Sequence, residues 1–215
     1  MPKTRGIPPN NKTNKALPAK AVREAELRRD TSETQIFIRL NVDGQGRLTG
    51  SIGVPFFEHM LNLFARHSLF DIELNGKGDL SIDSHHTVED VGIVLGQVLK
   101  KALGDKAGIE RYGEAYVPME ESLARCALDL CNRAYFRFEA DIPKAKVGDF
   151  DAELGEEFFR AFANNAGITM HLTLLTGSNV HHMLEAAFKA VGRALAKACE
   201  YNPRVRGVLS TKGAL

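Results

Sequence analysis

Two stretches of sequence, HHTVEDVGIVLGQVLKKA at residues 85–102 and HHMLEAAFKAVGRALAKA at residues 181–198, align without gaps at an offset of 96 positions. Apolar residues recur in both at helical spacing, so each stretch predicts a long amphipathic helix. Such apolar matches would arise in any pair of amphipathic helices, whereas the shared His-His-x-x-Glu start is not required by packing. The two stretches therefore indicate an internal duplication of the chain.

The segments around these two helices follow one plan twice. Alternating apolar and polar residues predict strands, and Gly-containing runs such as residues 43–46 predict turns. The first half is predicted to contain a strand ending at Leu40, a helix at 55–66, short strands at 70–74 and 80–83, and a helix at 84–103. The second half is predicted to contain strands at 123–130, 134–139 and 168–175, and helices at 156–165 and 179–201. This pattern predicts an α+β fold with internally duplicated half-domains, each a mainly antiparallel sheet packed against helices.

The composition sets the domain organisation. Residues 1–20 are rich in Pro, Lys and Asn and carry no hydrophobic period, which predicts a disordered extension. The remainder, residues 21–215, is predicted to form one domain of two pseudo-repeats, at about 21–120 and 121–215. With 44% hydrophobic residues, the chain can bury a continuous core. The three cysteines lack the paired spacing of thiolate zinc sites and are expected to be reduced and mostly buried.

The charge and hydropathy of the chain argue against nucleic acid and membranes as binding partners. The formal net charge is +1, so no overall field favours nucleic acid or an acidic membrane as a partner. No run of about eighteen apolar residues is present, and the first twenty residues lack the apolar core of a secretory signal. We therefore expect a cytoplasmic protein that binds any anionic ligand through a local group of side chains.

The repeated helix starts predict metal binding. Residues four apart share a helix face, so His85 and Glu89 point together while His86 is rotated by about 100°. The second repeat places His181 with Glu185 and sends His182 elsewhere in the same way. This geometry favours two metal sites over one. Imidazole and carboxylate ligands suit Zn, Fe, Co, Ni and Mn alike, so the ligand types alone do not select the metal.

Two further histidines complete the predicted ligand set. His59 follows Phe-Phe-Glu near a helix start, and His171 interrupts an apolar strand, where an unpaired polar group would be costly to bury. A lone strand histidine is more often a hydrogen-bonded core residue, but the repeated motif favours ligation. Three histidines and one glutamate per metal would leave positions open for substrate, which indicates catalysis. Asp83 and Asp90 are predicted to orient the imidazoles.

The sequence resembles the imidazoleglycerol-phosphate dehydratase family over essentially everything after about Ala21. The resemblance rests on residues 56–97 (FFEHMLNLFARHSLFDIELNGKGDLSIDSHHTVEDVGIVLGQ), 102–113 (ALGDKAGIERYG), 168–190 (ITMHLTLLTGSNVHHMLEAAFKA) and 210–215 (STKGAL). It implies a lyase of histidine biosynthesis that dehydrates D-erythro-imidazoleglycerol phosphate to imidazole-acetol phosphate. It also implies two manganese ions per active site and a homo-oligomeric shell of twenty-four subunits with sites shared between chains. The metal ligands that it implies are His59, His85, His86, Glu89, His171, His181, His182 and Glu185.

The same resemblance implies a substrate site. The residues that would hold the phosphate or line its approach are Arg111, Arg133, Lys189, Ser210 and Lys212. Arginine suits bidentate phosphate contact and lysine supplies a point charge, although each of these residues alone is typical of a solvated surface. Glu33 matches a family glutamate that reaches the substrate and acts as acid or base. The candidate catalytic residues are Glu33, His85 and Glu185.

Two other functions fit the ligand types. A two-metal hydrolase of phosphate or amide bonds would also use histidine and carboxylate ligands, with bridging carboxylates and metals about 4 Å apart. A non-catalytic shell protein could use the metal only for assembly. Product formation from imidazoleglycerol phosphate separates the dehydratase from both.

Overall fold

The first half of the chain forms one sheet with two helices. The computed structural model describes residues 22–215, and the predicted disordered extension at residues 1–20 lies outside them. The elements are β1 (Glu24–Asp30), β2 (Thr34–Asn41), β3 (Leu48–Ser51), α1 (Pro55–Ser68), β4 (Asp71–Gly78) and α2 (His85–Leu103). The strand order is β1-β2-β4-β3, antiparallel except for the β3/β4 pair, which is parallel.

The second half repeats this topology. Its elements are β5 (Tyr112–Met119), β6 (Ser122–Asp129), β7 (Tyr135–Glu139), β8 (Lys146–Val147), β9 (Phe150–Asp151), α3 (Leu154–Ala166), β10 (Thr169–Thr176) and α4 (Val180–Cys199). The strand order β5-β6-β10-β7 matches that of the first sheet, again with one parallel pair, β7/β10. The short β8/β9 hairpin is an addition of the second half. The predicted α+β fold with duplicated half-domains is confirmed.

The two halves interlock through their helices. The long helix α2 of the first half packs on α3 of the second, and α4 packs on α1. Gly96 on α2 and Gly192 on α4, which coincide in the repeat, allow the close approach. A Cβ at Gly96 would lie 2.5 Å from the Phe162 carbonyl oxygen, and one at Gly192 would lie 2.8 Å from the Phe64 carbonyl oxygen. Each repeat therefore completes the core of the other.

Phenylalanine side chains fill the junction between the halves. Phe158 of α3 stacks on Phe188 of α4, with ring centroids 5.3 Å apart, and meets Phe57 of α1 edge-on at 5.1 Å. All three rings are fully buried. Burial of each phenylalanine side chain contributes about 1.5–3 kcal/mol to folding, and aromatic pairs add to this. This junction fixes the position of α1 relative to α4.

The predicted helices are confirmed to within two residues at each end, but some strands differ from expectation. The prediction of a strand at 80–83 is wrong, because β4 continues through the residues read as a turn and pairs with β2 as far as Gly78. The hairpin partner of β2 is β1, which precedes it, rather than a strand beyond the turn at 43–46. Strand β5 joins the second sheet at Tyr112, ahead of the predicted division near residue 120.

The three cysteines are buried and unpaired. Cys126, Cys131 and Cys199 form no disulfide among the described residues, as predicted. Within residues 22–215, none of the helices combines the length and apolar character needed to cross a membrane.

Candidate metal centre and phosphate pocket

Three of the predicted ligands meet where α1 packs on α4. His59 projects from α1, while His181 and Glu185 share one face of the first turns of α4. Glu185 Oε2 lies 3.3 Å from His181 Nε2 and 3.8 Å from His59 Nε2. The ligand atoms of all three groups lie within 4.8 Å of one another. Both imidazoles are partly exposed and Glu185 is buried. The carboxylate therefore lies on the protein side of the cluster, and the imidazole side is open to solvent.

Lys189 neutralises the other oxygen of this carboxylate. Its Nζ donates to Glu185 Oε1, one helical turn away on α4, and also approaches Met119 Sδ at 3.6 Å. Burial opposes ionisation of Glu185, but the hydrogen bond and charge of Lys189 outweigh it and hold the pKa of Glu185 below its ordinary value. The structure therefore places Lys189 beside the candidate metal ligands and outside the pocket that holds the other predicted phosphate residues.

The second histidine of each motif turns away, as the helical rotation predicts. His86 Nδ1 lies 2.9 Å from Asp79 Oδ2, and His182 Nδ1 lies 2.8 Å from Glu121 Oε2. The hydrogen bond to Asp79 raises the pKa of His86, and the one to Glu121 raises the pKa of His182. Glu120 also lies beside His182, within 4.8 Å of its ligand atom.

The prediction that Asp83 and Asp90 orient the imidazoles is wrong. Asp83 Oδ1 accepts the backbone N–H of His85 at 2.7 Å, so it caps the start of α2. Asp90 lies on the buried side of α2, where it accepts hydrogen bonds from Arg29 at 2.9 Å and from the Thr34 hydroxyl. Sequence proximity to the motif was misleading here, because Asp83 hydrogen-bonds the backbone of His85 and not an imidazole, and Asp90 faces β1 and β2.

The remaining predicted ligands stay apart within one chain. His85 and Glu89 share a face of α2, but neither they nor His171 belongs to any cluster of three ligand groups among residues 22–215. His171 is exposed on the outer face of β10, beside the ring of Tyr135 at 5.5 Å. The buried setting inferred from the surrounding apolar strand is wrong, because strand alternation directs the neighbours Met170 and Leu172 into the core and leaves His171 outside it.

Four of the five predicted phosphate residues share one cavity of about 780 Å³ near the C-terminus. They are Arg111, Arg133, Ser210 and Lys212. Two exposed arginines that sequence reasoning missed, Arg204 and Arg206, also line it. Its lining combines five cationic side chains and the Ser210 hydroxyl with apolar residues such as Val208 and Leu209, and the cations and the hydroxyl suit a phosphate group.

Arg111 holds the wall of this cavity in place. Its guanidinium makes a bidentate contact with Asp129 at 2.6 and 2.9 Å and donates a third hydrogen bond to the Leu209 carbonyl oxygen at 2.6 Å. The hydrogen bond to Asp129 raises the pKa of Arg111. Arg111 thereby fastens the segment that carries Ser210 and Lys212.

Glu33 lies near the first helix motif. It is in the β1–β2 turn, its side chain is 51% exposed, and its Oε2 lies 3.9 Å from His86 Nδ1. The structure therefore groups Glu33 with His86 and separates it from the His59 cluster, which lies at the α1/α4 junction.

The fold and these sites define a duplicated α+β protein with a candidate histidine–carboxylate metal centre and a cationic pocket. The family model described as imidazoleglycerol-phosphate dehydratase matches residues 52–195. The chain belongs to the imidazoleglycerol-phosphate dehydratase family.

Individual relatives agree with this assignment. The imidazoleglycerol-phosphate dehydratase of Pelobacter propionicus is 58% identical over 193 residues, which cover 90% of this chain and 99% of the relative. That of Acetivibrio thermocellus is 56% identical with the same coverage. The crystal structure of the Staphylococcus aureus dehydratase is 42% identical, with a TM-score of 0.75 over 83% of this chain and 99% of that one. The Pyrococcus furiosus structure, in complex with (S)-C348, is 36% identical, with a TM-score of 0.75 over 88% and 100%.

Proposed function

We propose that this protein is a lyase that dehydrates imidazoleglycerol phosphate to imidazole-acetol phosphate in histidine biosynthesis. The observation that carries the proposal is the meeting of His59, His181 and Glu185 at the α1/α4 junction. Membership of the dehydratase family, with relatives above 50% identity over nearly their whole length, supports the reaction and the substrate.

The proposal includes manganese, two ions for each active site. Two imidazoles and a carboxylate around one open point fit a divalent transition metal, so His59, His181 and Glu185 would hold one ion. Bound manganese would supply Lewis-acid polarisation of the imidazole ring of the substrate. The other predicted ligands are His85, His86, Glu89, His171 and His182.

Neighbouring chains would complete these ligand sets. His85 and Glu89 form only a pair within the described chain, and His171 faces outward from its sheet. Ligands placed on separate surfaces of one chain can meet when copies associate. We therefore include a homo-oligomer of twenty-four subunits, with sites shared between chains, in the proposal.

The protein side chains have separate tasks in this reaction. Arg133, Ser210 and Lys212 would bind the substrate phosphate in the C-terminal cavity, with Arg111 holding that wall in place. Lys189 lies outside this cavity, beside Glu185, so as a further phosphate contact it would act from α4 of a neighbouring chain.

Glu33 would perform the proton transfer. The reaction removes the hydroxyl group next to the imidazole ring and a proton from the following carbon, and the resulting enol becomes a ketone. An exposed carboxylate beside the first motif is free to accept that proton. His85 and Glu185 are proposed to act as ligands close to the reacting ring.

A product assay tests the proposal. Purified, manganese-loaded protein is incubated with imidazoleglycerol phosphate, and the enolisable ketone is measured. We expect ketone formation that is lost on chelation and regained when manganese is restored. A metal-loaded, folded protein that forms no ketone would rule the dehydratase out.

A further inference from the structure

We propose that Asp79 and Glu121 are positioning residues that set the ring orientation and tautomer of His86 and His182. Each carboxylate would hold Nδ1 of its histidine in the protonated form, so that Nε2 carries the lone pair for a metal. This inference rests on the proposed function, because it takes His86 and His182 as metal ligands. It gives Asp79 and Glu121 the role of orienting the imidazoles, which the sequence analysis predicted for Asp83 and Asp90.

The Asp79 contact is specific to one ring. Asp79 follows the end of β4, and its Oδ2 lies 2.9 Å from His86 Nδ1. Its other oxygen, Oδ1, is buried without a hydrogen-bond partner among the described residues. The hydrogen-bonding capacity of the Asp79 carboxylate is therefore directed to His86 alone. Such an unsatisfied buried oxygen lowers stability and calls for another reason to be there.

The Glu121 contact is held rigidly. Glu121 lies at the β5–β6 turn, and its Oε1 accepts the backbone N–H groups of Ser178 at 3.2 Å and Asn179 at 2.8 Å. Its Oε2 remains for His182 Nδ1 at 2.8 Å. The carboxylate is thus fixed to the loop that starts α4, and it fixes the imidazole at the same helix start.

The chemistry follows from the nitrogen that each carboxylate occupies. A neutral imidazole has one N–H and one lone pair, and a carboxylate at Nδ1 selects the tautomer that leaves the lone pair on Nε2. Metal-bound histidines generally donate their other ring N–H to a carboxylate, carbonyl or water, which also makes them better ligands. In both His86 and His182 a carboxylate oxygen lies at hydrogen-bonding distance from Nδ1, which would leave Nε2 for a metal.

The turn of the first repeat that corresponds to the β5–β6 turn also carries a glutamate. Strands β1 and β2 match β5 and β6 at an offset of 88 residues, so Glu121 corresponds to Glu33. Glu33 Oε2 lies 3.9 Å from His86 Nδ1, whereas Asp79 Oδ2 lies within hydrogen-bonding distance at 2.9 Å. The carboxylate that binds the ring therefore comes from the end of β4 for His86 and from the β5–β6 turn for His182.

Manganese titration of the full-length protein, stripped of metal and followed by the electron paramagnetic resonance of free Mn²⁺, tests the inference. We expect Asp79→Ala and Glu121→Ala to weaken binding roughly 10–100-fold, as is typical for loss of a ligand-orienting partner. Glu121→Ala also removes the acceptor of the Ser178 and Asn179 N–H groups, so Glu121→Gln, which keeps an acceptor oxygen there, is made as well. The melting temperatures of metal-free Asp79→Ala and Glu121→Gln should stay close to that of wild type while both variants bind manganese more weakly, which a merely structural role would not allow. Asp79→Asn keeps the side-chain shape and should give a smaller loss, and it replaces Asp79→Ala if that variant does not fold.

Asp83→Asn is the matched control. It removes a charge from the same loop while keeping the cap on His85, and should alter affinity by no more than about threefold, the range of an exposed charge. His86→Ala and His182→Ala report whether the histidines bind metal. If wild type takes up no manganese, the proposed metal function fails. If these histidine variants lose affinity while Asp79→Ala and Glu121→Ala bind as wild type does, this inference alone is wrong.

Discussion

His59 and His181 lie with their ring centroids 5.7 Å apart and face the same carboxylate oxygen, although they belong to different repeats and are separated by 122 positions in the chain. Their proximity is a consequence of the fold. Each long helix packs on the short helix of the other repeat, so α4 brings its His-His-x-x-Glu start to α1. The candidate metal centre is therefore built across the duplication.

The packing of α4 on α1 predicts the effect of Gly192→Ala. The added Cβ would lie 2.8 Å from the Phe64 carbonyl oxygen, so the two helices must separate. We expect a loss of about 1–3 kcal/mol in the free energy of unfolding, typical of overpacking, and weaker manganese binding because His59 moves away from His181. Denaturant unfolding and metal titration measure the two effects.

Arg193→Ala is the control for this variant, since Arg193 is the next residue and is exposed. It should change stability by no more than about 0.5 kcal/mol. Wild-type stability and affinity in Gly192→Ala would contradict the proposed role of the close helix approach.

Glu33→Gln should remove turnover without removing metal. The amide keeps the shape of the side chain but cannot accept the proton, so kcat should fall by roughly 10²–10⁴-fold, the usual contribution of general acid–base catalysis. Metal content, measured by elemental analysis, should match that of wild type. Glu26→Gln, on the exposed face of the same hairpin, serves as the control. Full activity of Glu33→Gln would show that another group handles the proton.

Arg133→Gln should weaken substrate binding. Loss of one charge-assisted hydrogen bond to phosphate amounts to about 1.5–3 kcal/mol, which predicts a decrease in kcat/KM of roughly 10–150-fold, mainly through KM. Arg137→Gln is a matched control, because Arg137 is exposed on β7 and pairs with Glu139 outside the cavity. Equal kinetics for the Arg133 variant and wild type would place the phosphate elsewhere.

His171→Ala should impair assembly together with metal binding. His171 is exposed on the outer face of β10, so a role as ligand requires a neighbouring chain. We expect this variant to sediment as a smaller particle in the presence of manganese and to retain less metal per chain. Thr173→Ala, two residues along the same strand, is the control. A His171→Ala particle with wild-type mass and metal content would exclude the residue from the metal sites.

Local patterns predicted the parts of this structure that depend on local physics. Helical periodicity predicted the four helices, and the rotation per residue predicted that the side chains of His181 and His182 point in different directions. Contacts set by tertiary packing could not be predicted from local patterns. Asp79 contacts His86 from the loop after β4, and Glu121 contacts His182 from the β5–β6 turn. His171 was assigned a buried setting because a single sequence does not show which face of β10 is covered.

Anomalous X-ray scattering at the manganese absorption edge, from crystals of the manganese-loaded protein, tests the central claim most directly. We predict a peak within coordination distance of His59 Nε2, His181 Nε2 and Glu185 Oε2, in protein that converts imidazoleglycerol phosphate to the ketone. An active protein with no manganese peak at these three atoms would contradict the account.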